Sequence, residues 1–94
     1  MNIESIYQQI TRFAQLHGAC RVTLFGSRAR GDALANSDID IAVEGCKNFA
    51  ELEEDIQQNL WSLLEIDVVN LDEPVSQALL DDIHRDGRVL YEKI

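Results

Sequence analysis

Two short runs in this chain hold side chains that simple packing does not call for. Asp38 and Asp40 sit in DIDIAVE, residues 38–44, where they and Ala42 alternate with Ile39, Ile41 and Val43. Upstream, the apolar run CRVTLF, 20–25, stops at Gly26 and Ser27; Arg28 and Arg30 follow, and ten residues separate Ser27 from Asp38. In an extended strand, residues two apart project from one face, about 7 Å apart along the chain. Carboxylates that close repel one another, so the pair is either wet or part protonated. A divalent cation removes the conflict. Mg²⁺ takes one or two protein carboxylates at about 2.1 Å and keeps positions open for water and substrate phosphates. Asp67, in EIDVVNL, 65–71, is the other acid in the middle of an apolar run. If its strand lies beside 38–44, three carboxylates converge, enough to hold two ions about 4 Å apart, one on an attacking oxygen and one on phosphates.

The glycine–serine turn suits the other half of such a substrate. Gly26 at a strand end lets backbone N–H groups approach a phosphate closely. With Ser27 capping a short helix, its hydroxyl and the first-turn N–H groups would face the same anion. Arg28 and Arg30 add positive charge for a triphosphate or a leaving pyrophosphate. The run is neither a Walker A loop nor G-x-G-x-x-G. Each part alone has a plainer reading. The D-x-D would be a solvated strand face, the Gly-Ser a turn, the arginines solvated charges and Asp67 a surface residue. The combination is far more specific than any part.

Helices and strands must position these groups. Ile3, Ile6, Ile10, Phe13 and Leu16 step along one helical face, with Gly18 as a stop signal. The run 20–25 predicts a strand; 26–37 reads as turn with one helical turn after Ser27; 38–44 predicts a second strand. Phe49, Leu52, Ile56, Leu60 and Leu63 predict a helix over 48–63, and 65–71 a third strand. Pro74 opens a last helix, 75–86, and RVLYEK after Gly87 predicts a short edge strand. The alternation implies an α/β (α+β) fold: a small mixed sheet with helices packed on it. The connection of about a dozen residues between the first two strands is marginal for a parallel crossover and allows an antiparallel pair.

Composition sets the bounds. Ninety-four residues suit one domain, 1–94. With 46% hydrophobic residues and a single Pro, the chain is expected to fold as a globule. No apolar stretch reaches the roughly 20 residues that span a bilayer. The N-terminus lacks the pattern of a signal peptide, so the expected place is cytoplasmic, away from membranes. Cys20 and Cys46 make neither a disulfide framework nor a zinc site, and both read as reduced core thiols. His17 and His84 fall near helix ends, where a cation suits the dipole. The formal charge of −9 argues against direct nucleic-acid binding and suits a basic protein partner.

Gly26-Ser27, ten residues and Asp38-Ile39-Asp40 resemble the G-S-x10-D-x-D signature of the polymerase-beta-like nucleotidyltransferase superfamily. The wider run FGSRARGDALANSDIDIAV is similar to its minimal branch, and the likeness extends over nearly the whole chain to the terminal GRVLYE. The resemblance implies that Asp38 and Asp40 ligate Mg²⁺ and that Asp67 completes the triad, orienting or deprotonating a hydroxyl. It implies that Gly26 and Ser27 hold nucleotide phosphates, with Arg28 and Arg30 in the family's basic segment. The implied reaction moves AMP from ATP to a hydroxyl and releases pyrophosphate. Minimal members accompany HEPN-type toxins as antitoxins, some by adenylylating a toxin tyrosine. Two other readings stand beside this one: an antitoxin that neutralises its partner by binding alone, and a small-molecule nucleotidyltransferase. Larger transferases carry a further helical domain at the acceptor site. None is expected in these residues, so the acceptor surface is expected to be shallow or supplied by a partner.

Overall fold

The structure, a computed structural model, describes residues 2–93. Helix α1, Ile3–Leu16, begins where Asn2 Oδ1 accepts the N–H of Ser5 at 2.9 Å, and it turns its Ile6, Ile10 and Ala14 inward. Four strands follow among the described residues: β1 Arg21–Phe25, β2 Ile39–Glu44, β3 Ile66–Asn70 and β4 Arg88–Glu92, interleaved with α2 Ser27–Arg30, α3 Phe49–Gln58 and α4 Gln77–Asp86. They form one sheet in the order β3-β2-β1-β4. The open question of the first connection resolves as an antiparallel β1–β2 pair; β4 is also antiparallel to β1, and β3 runs parallel to β2. The parallel pair needs a crossover, which α3 provides.

Alternation along the strands divides the core. Val22, Leu24, Ile39, Ile41 and Val43 pack under α1 and α3 with Ile10, Leu52 and Ile56. On the other face Phe25 and Ala42 meet Ile83 of α4, flanked by Val69, Leu71 and Leu79.

Several element ends differ from the sequence expectation. β2 begins at Ile39, which leaves Asp38 just outside the ladder. α3 stops at Gln58, well short of Leu63. Trp61 N–H donates to Gln9 Oε1 at 3.0 Å while Gln9 Nε2 donates to the Trp61 carbonyl at 3.3 Å, docking a loop on α1 in place of further helix. Leu60 is still buried by that loop, but Leu63 is 94% exposed, so its helical spacing marks no core face. α4 begins after Ser76, whose Oγ accepts the Leu79 N–H at 3.1 Å, so Pro74 precedes the cap and is not in the first turn. Cys46 is buried as expected, but Cys20 is exposed, at the entry to β1. His17 closes α1 and pairs with Asp55 of α3.

Candidate active site

The register places the acids. Phe25 pairs with Asp40 across β1–β2, and Asp40 pairs with Asp67 across β2–β3. Asp40 and Asp67 therefore project from the same face, the one on which Phe25 and Ala42 meet Ile83 of α4. Asp40 is half-buried; Asp38 and Asp67 are exposed.

The Asp40 carboxyl is pushed above the ordinary carboxylate range. Its partial burial is the main cause, followed by the charge of Asp67 and a hydrogen bond with it, then the charge of Asp38; Arg30 pulls in the opposite direction. Asp38, Asp40, Asp67 and Arg30 thus share one electrostatic neighbourhood.

The turn after β1 closes against this cluster. Gly26 has φ 74° and ψ −157°, a backbone region that is essentially glycine-only. A Cβ built there would lie 2.4 Å from Asp40 Oδ2, so the missing side chain is what lets the turn sit on the acid. Gly26, not Ser27, occupies the cap position of α2, and its carbonyl accepts the N–H groups of Ala29 and Arg30, each at 3.1 Å. Ser27 is the first helical residue. First-turn N–H groups have no partner within a helix, and here that first turn follows directly on the strand end that faces Asp40.

The two arginines part company. Arg30 Nε donates to Asp32 at 3.1 Å, and its Nη1 lies 3.6 Å from Asp86 of α4. Arg28 instead turns its guanidinium onto the following loop, where Nη2 donates to the carbonyls of Leu34, Ala35 and Ser37. Asp86, the last residue of α4, stands outside the runs that the sequence singles out. Its side chain is 13% exposed and also accepts from Arg85 at 3.0 Å. No local pattern marks it, because only the packing of α4 brings it to Arg30.

Whether these residues suit Mg²⁺ can be judged from their chemistry. Among the described residues, no group of three or more His, Cys, Asp or Glu stands ready to hold a metal ion. One or two carboxylates suffice for Mg²⁺, with waters and phosphate oxygens completing the shell. Asp40 and Asp67 supply oxygen donors of that kind, and their mutual repulsion, seen in the raised Asp40 carboxyl, is what a cation relieves. The donor set fits the ion. A phosphate held at the Gly26 turn would lie directly beside it.

A family model described as "Polymerase beta, Nucleotidyltransferase" matches residues 8–94. A protein of Methanocaldococcus jannaschii described as "putative protein adenylyltransferase" is 46% identical over 44 residues, 47% of this chain and 47% of that protein. The match thus spans about half the length of that curated relative. A solved toxin–antitoxin structure with AMP-PNP is 28% identical with a TM-score of 0.73, covering 93% of this chain and 73% of that one. A solved structure described as a "putative minimal nucleotidyltransferase" is 26% identical with a TM-score of 0.68, covering 94% and 95% of the two chains.

Proposed function

The chain belongs to the polymerase beta nucleotidyltransferase family, and from that premise we propose that it transfers AMP from ATP, with Mg²⁺, to a hydroxyl of a HEPN-type toxin, as that toxin's antitoxin. The observation that carries this reading is the level placement of Asp40 and Asp67 beside the Gly26 turn. Similarity to a toxin–antitoxin structure that holds AMP-PNP supports the nucleotide and the partner class.

The residues divide the work. Gly26 and Ser27 receive the triphosphate through the turn's backbone, and Arg30, fixed between Asp32 and Asp86, adds positive charge nearby. Asp38, Asp40 and Asp67 would hold Mg²⁺, which when bound offsets the charge that builds on the phosphates. Asp67 is more exposed than Asp40, which suits it to reach the acceptor. It accepts the proton as the acceptor oxygen bonds to the α-phosphorus; the bond from that phosphorus to the pyrophosphate oxygen breaks, and pyrophosphate leaves with the electron pair. The acceptor is a toxin tyrosine in this reading, since a chain of charge −9 suits a basic protein better than a nucleic acid. No helix among the described residues is long and apolar enough to cross a membrane.

The test incubates the chain with labelled ATP, Mg²⁺ and the toxin. Asp38→Ala combined with Asp40→Ala should lower labelling by at least about a hundredfold, because the main charge stabilisation goes. Labelling that survives overturns the proposal. The high negative charge also favours a second reading, in which the chain masks a basic toxin surface without chemistry. Protection of cells by the double variant would select it.

A further inference from the structure

Asp38 precedes the first ladder residue of β2, so the sheet by itself does not hold it. We infer that Arg28 is a positioning residue: it pins the backbone at Asp38 and so aims that carboxylate at the site. The inference rests on the reading of Asp38 as a metal ligand given above, and it moves Arg28 away from the phosphates to which the sequence pointed.

The geometry is specific. Arg28 Nε and Nη2 both donate to the Ser37 carbonyl, at 3.2 and 2.9 Å. Nη2 also donates to the carbonyls of Leu34 at 3.3 Å and Ala35 at 3.2 Å. The Ser37 carbonyl belongs to the same rigid peptide plane as the Asp38 N–H. Fixing that oxygen therefore fixes the plane entering the Asp38 Cα. The plane leaving it is fixed by the Ile39 N–H, which donates to the Glu65 carbonyl at 2.9 Å. With both planes held, the direction of the Asp38 Cβ is set. Ser37 tightens the same loop, since its N–H donates to the Leu34 carbonyl at 3.1 Å and its Oγ accepts the Leu34 N–H at 2.9 Å. Only a flat guanidinium presents several donors in a fixed fork; an ammonium keeps the charge and loses the fork.

The experiment compares the parent with Arg28→Ala, Arg28→Lys, Arg30→Ala and Asp38→Ala. It reads amide hydrogen exchange at Leu34 and Ser37 by NMR, and affinity for Mn²⁺ as a probe of the acid site by EPR. Both Arg28 variants should exchange about tenfold faster or more at those amides, as the loop opens more often without its charged hydrogen bonds. They should also bind Mn²⁺ several-fold more weakly, with lysine no better than a partial rescue. Arg30→Ala should leave the exchange at Leu34 and Ser37 unchanged. Parental exchange in Arg28→Ala, or full recovery of Mn²⁺ affinity in Arg28→Lys, overturns the inference and returns Arg28 to a role of charge alone. Should Arg28→Ala fail to fold, the lysine variant decides by the same readouts. Asp38→Ala separates the two layers. If it leaves Mn²⁺ affinity untouched while the Arg28 variants loosen the loop, the backbone clamp stands and the reading of Asp38 as a ligand falls.

Discussion

Under α1 and α3, the sheet buries Val22, Leu24, Ile39, Ile41 and Val43 in a continuous core; under α4 it buries Phe25 and Ala42 beside Ile83, then opens onto Asp40 and Asp67. The two faces are made by the same strands, one residue out of phase. β2 shows this most clearly. Its isoleucines point to the covered face, and its Asp40 and Ala42 to the partly covered one. A helix over the whole second face would desolvate two like charges, at a penalty of several kcal/mol per unpaired ion. The fold leaves that end open, and stability is concentrated on the opposite side.

Substitutions on the two faces should therefore act in opposite ways. The largest effect on stability is expected from Ile41→Ala. Ile41 is fully buried, and losing it should destabilise by about 2–5 kcal/mol in denaturant unfolding, with any loss of transfer activity following the unfolded fraction. A loss below about 1 kcal/mol would mean that the covered face does not carry the fold.

Gly26→Ala tests the border between the faces. The backbone conformation alone costs an alanine about 1–3 kcal/mol, and the new Cβ would meet Asp40 Oδ2, so either the turn or the acid must shift. Nucleotide transfer should fall by more than the stability loss explains, read as kcat/KM on protein shown to be folded by circular dichroism.

The smallest and most diagnostic stability effect is that of Asp40→Asn. Burial and the charges of Asp67 and Asp38 raise this carboxyl in the folded chain, so the folded state holds its proton more tightly than the unfolded state does. The favourable contribution of the protonated form is complete below the ordinary value of 3.8 and is lost as pH rises through the raised folded value. At neutral pH the ionised Asp40 therefore opposes folding. The asparagine variant should melt above the parent at pH 7 and lose that advantage as pH falls toward 3.8, while transfer activity disappears. A parent more stable than the variant at pH 7 would reverse the sign and contradict the electrostatic account.

Much of this was legible along the chain, for definite reasons. The period-two pattern of IDIAVE states which residues share a face, whatever lies next to them, while Asp38 falls just outside the strand. The helical spacing of Ile3, Ile6, Ile10 and Phe13 is similarly local, although Leu16, expected on the same face, is 71% exposed at the end of α1, and the predicted mixed sheet with packed helices is the one observed. Misreadings arose where a distant partner decided the outcome. Leu60 and Leu63 share a helical spacing, yet Gln9 of α1 holds Trp61 and ends the helix early. Arg28 and Arg30 look alike in the sequence. One is drawn to loop carbonyls and the other to Asp86 of α4.

The sequence by itself determined the donor types, their spacing within each run and the face that each strand residue occupies, because covalent geometry sets all three. Tertiary structure alone decided that Asp67 lies level with Asp40, that Gly26 closes on that acid and that Arg28 donates to the Ser37 carbonyl. Those relations depend on strand order, register and the path of a loop. They are settled by which surfaces bury together and which carbonyls are left in need of donors, and no single stretch of residues encodes either.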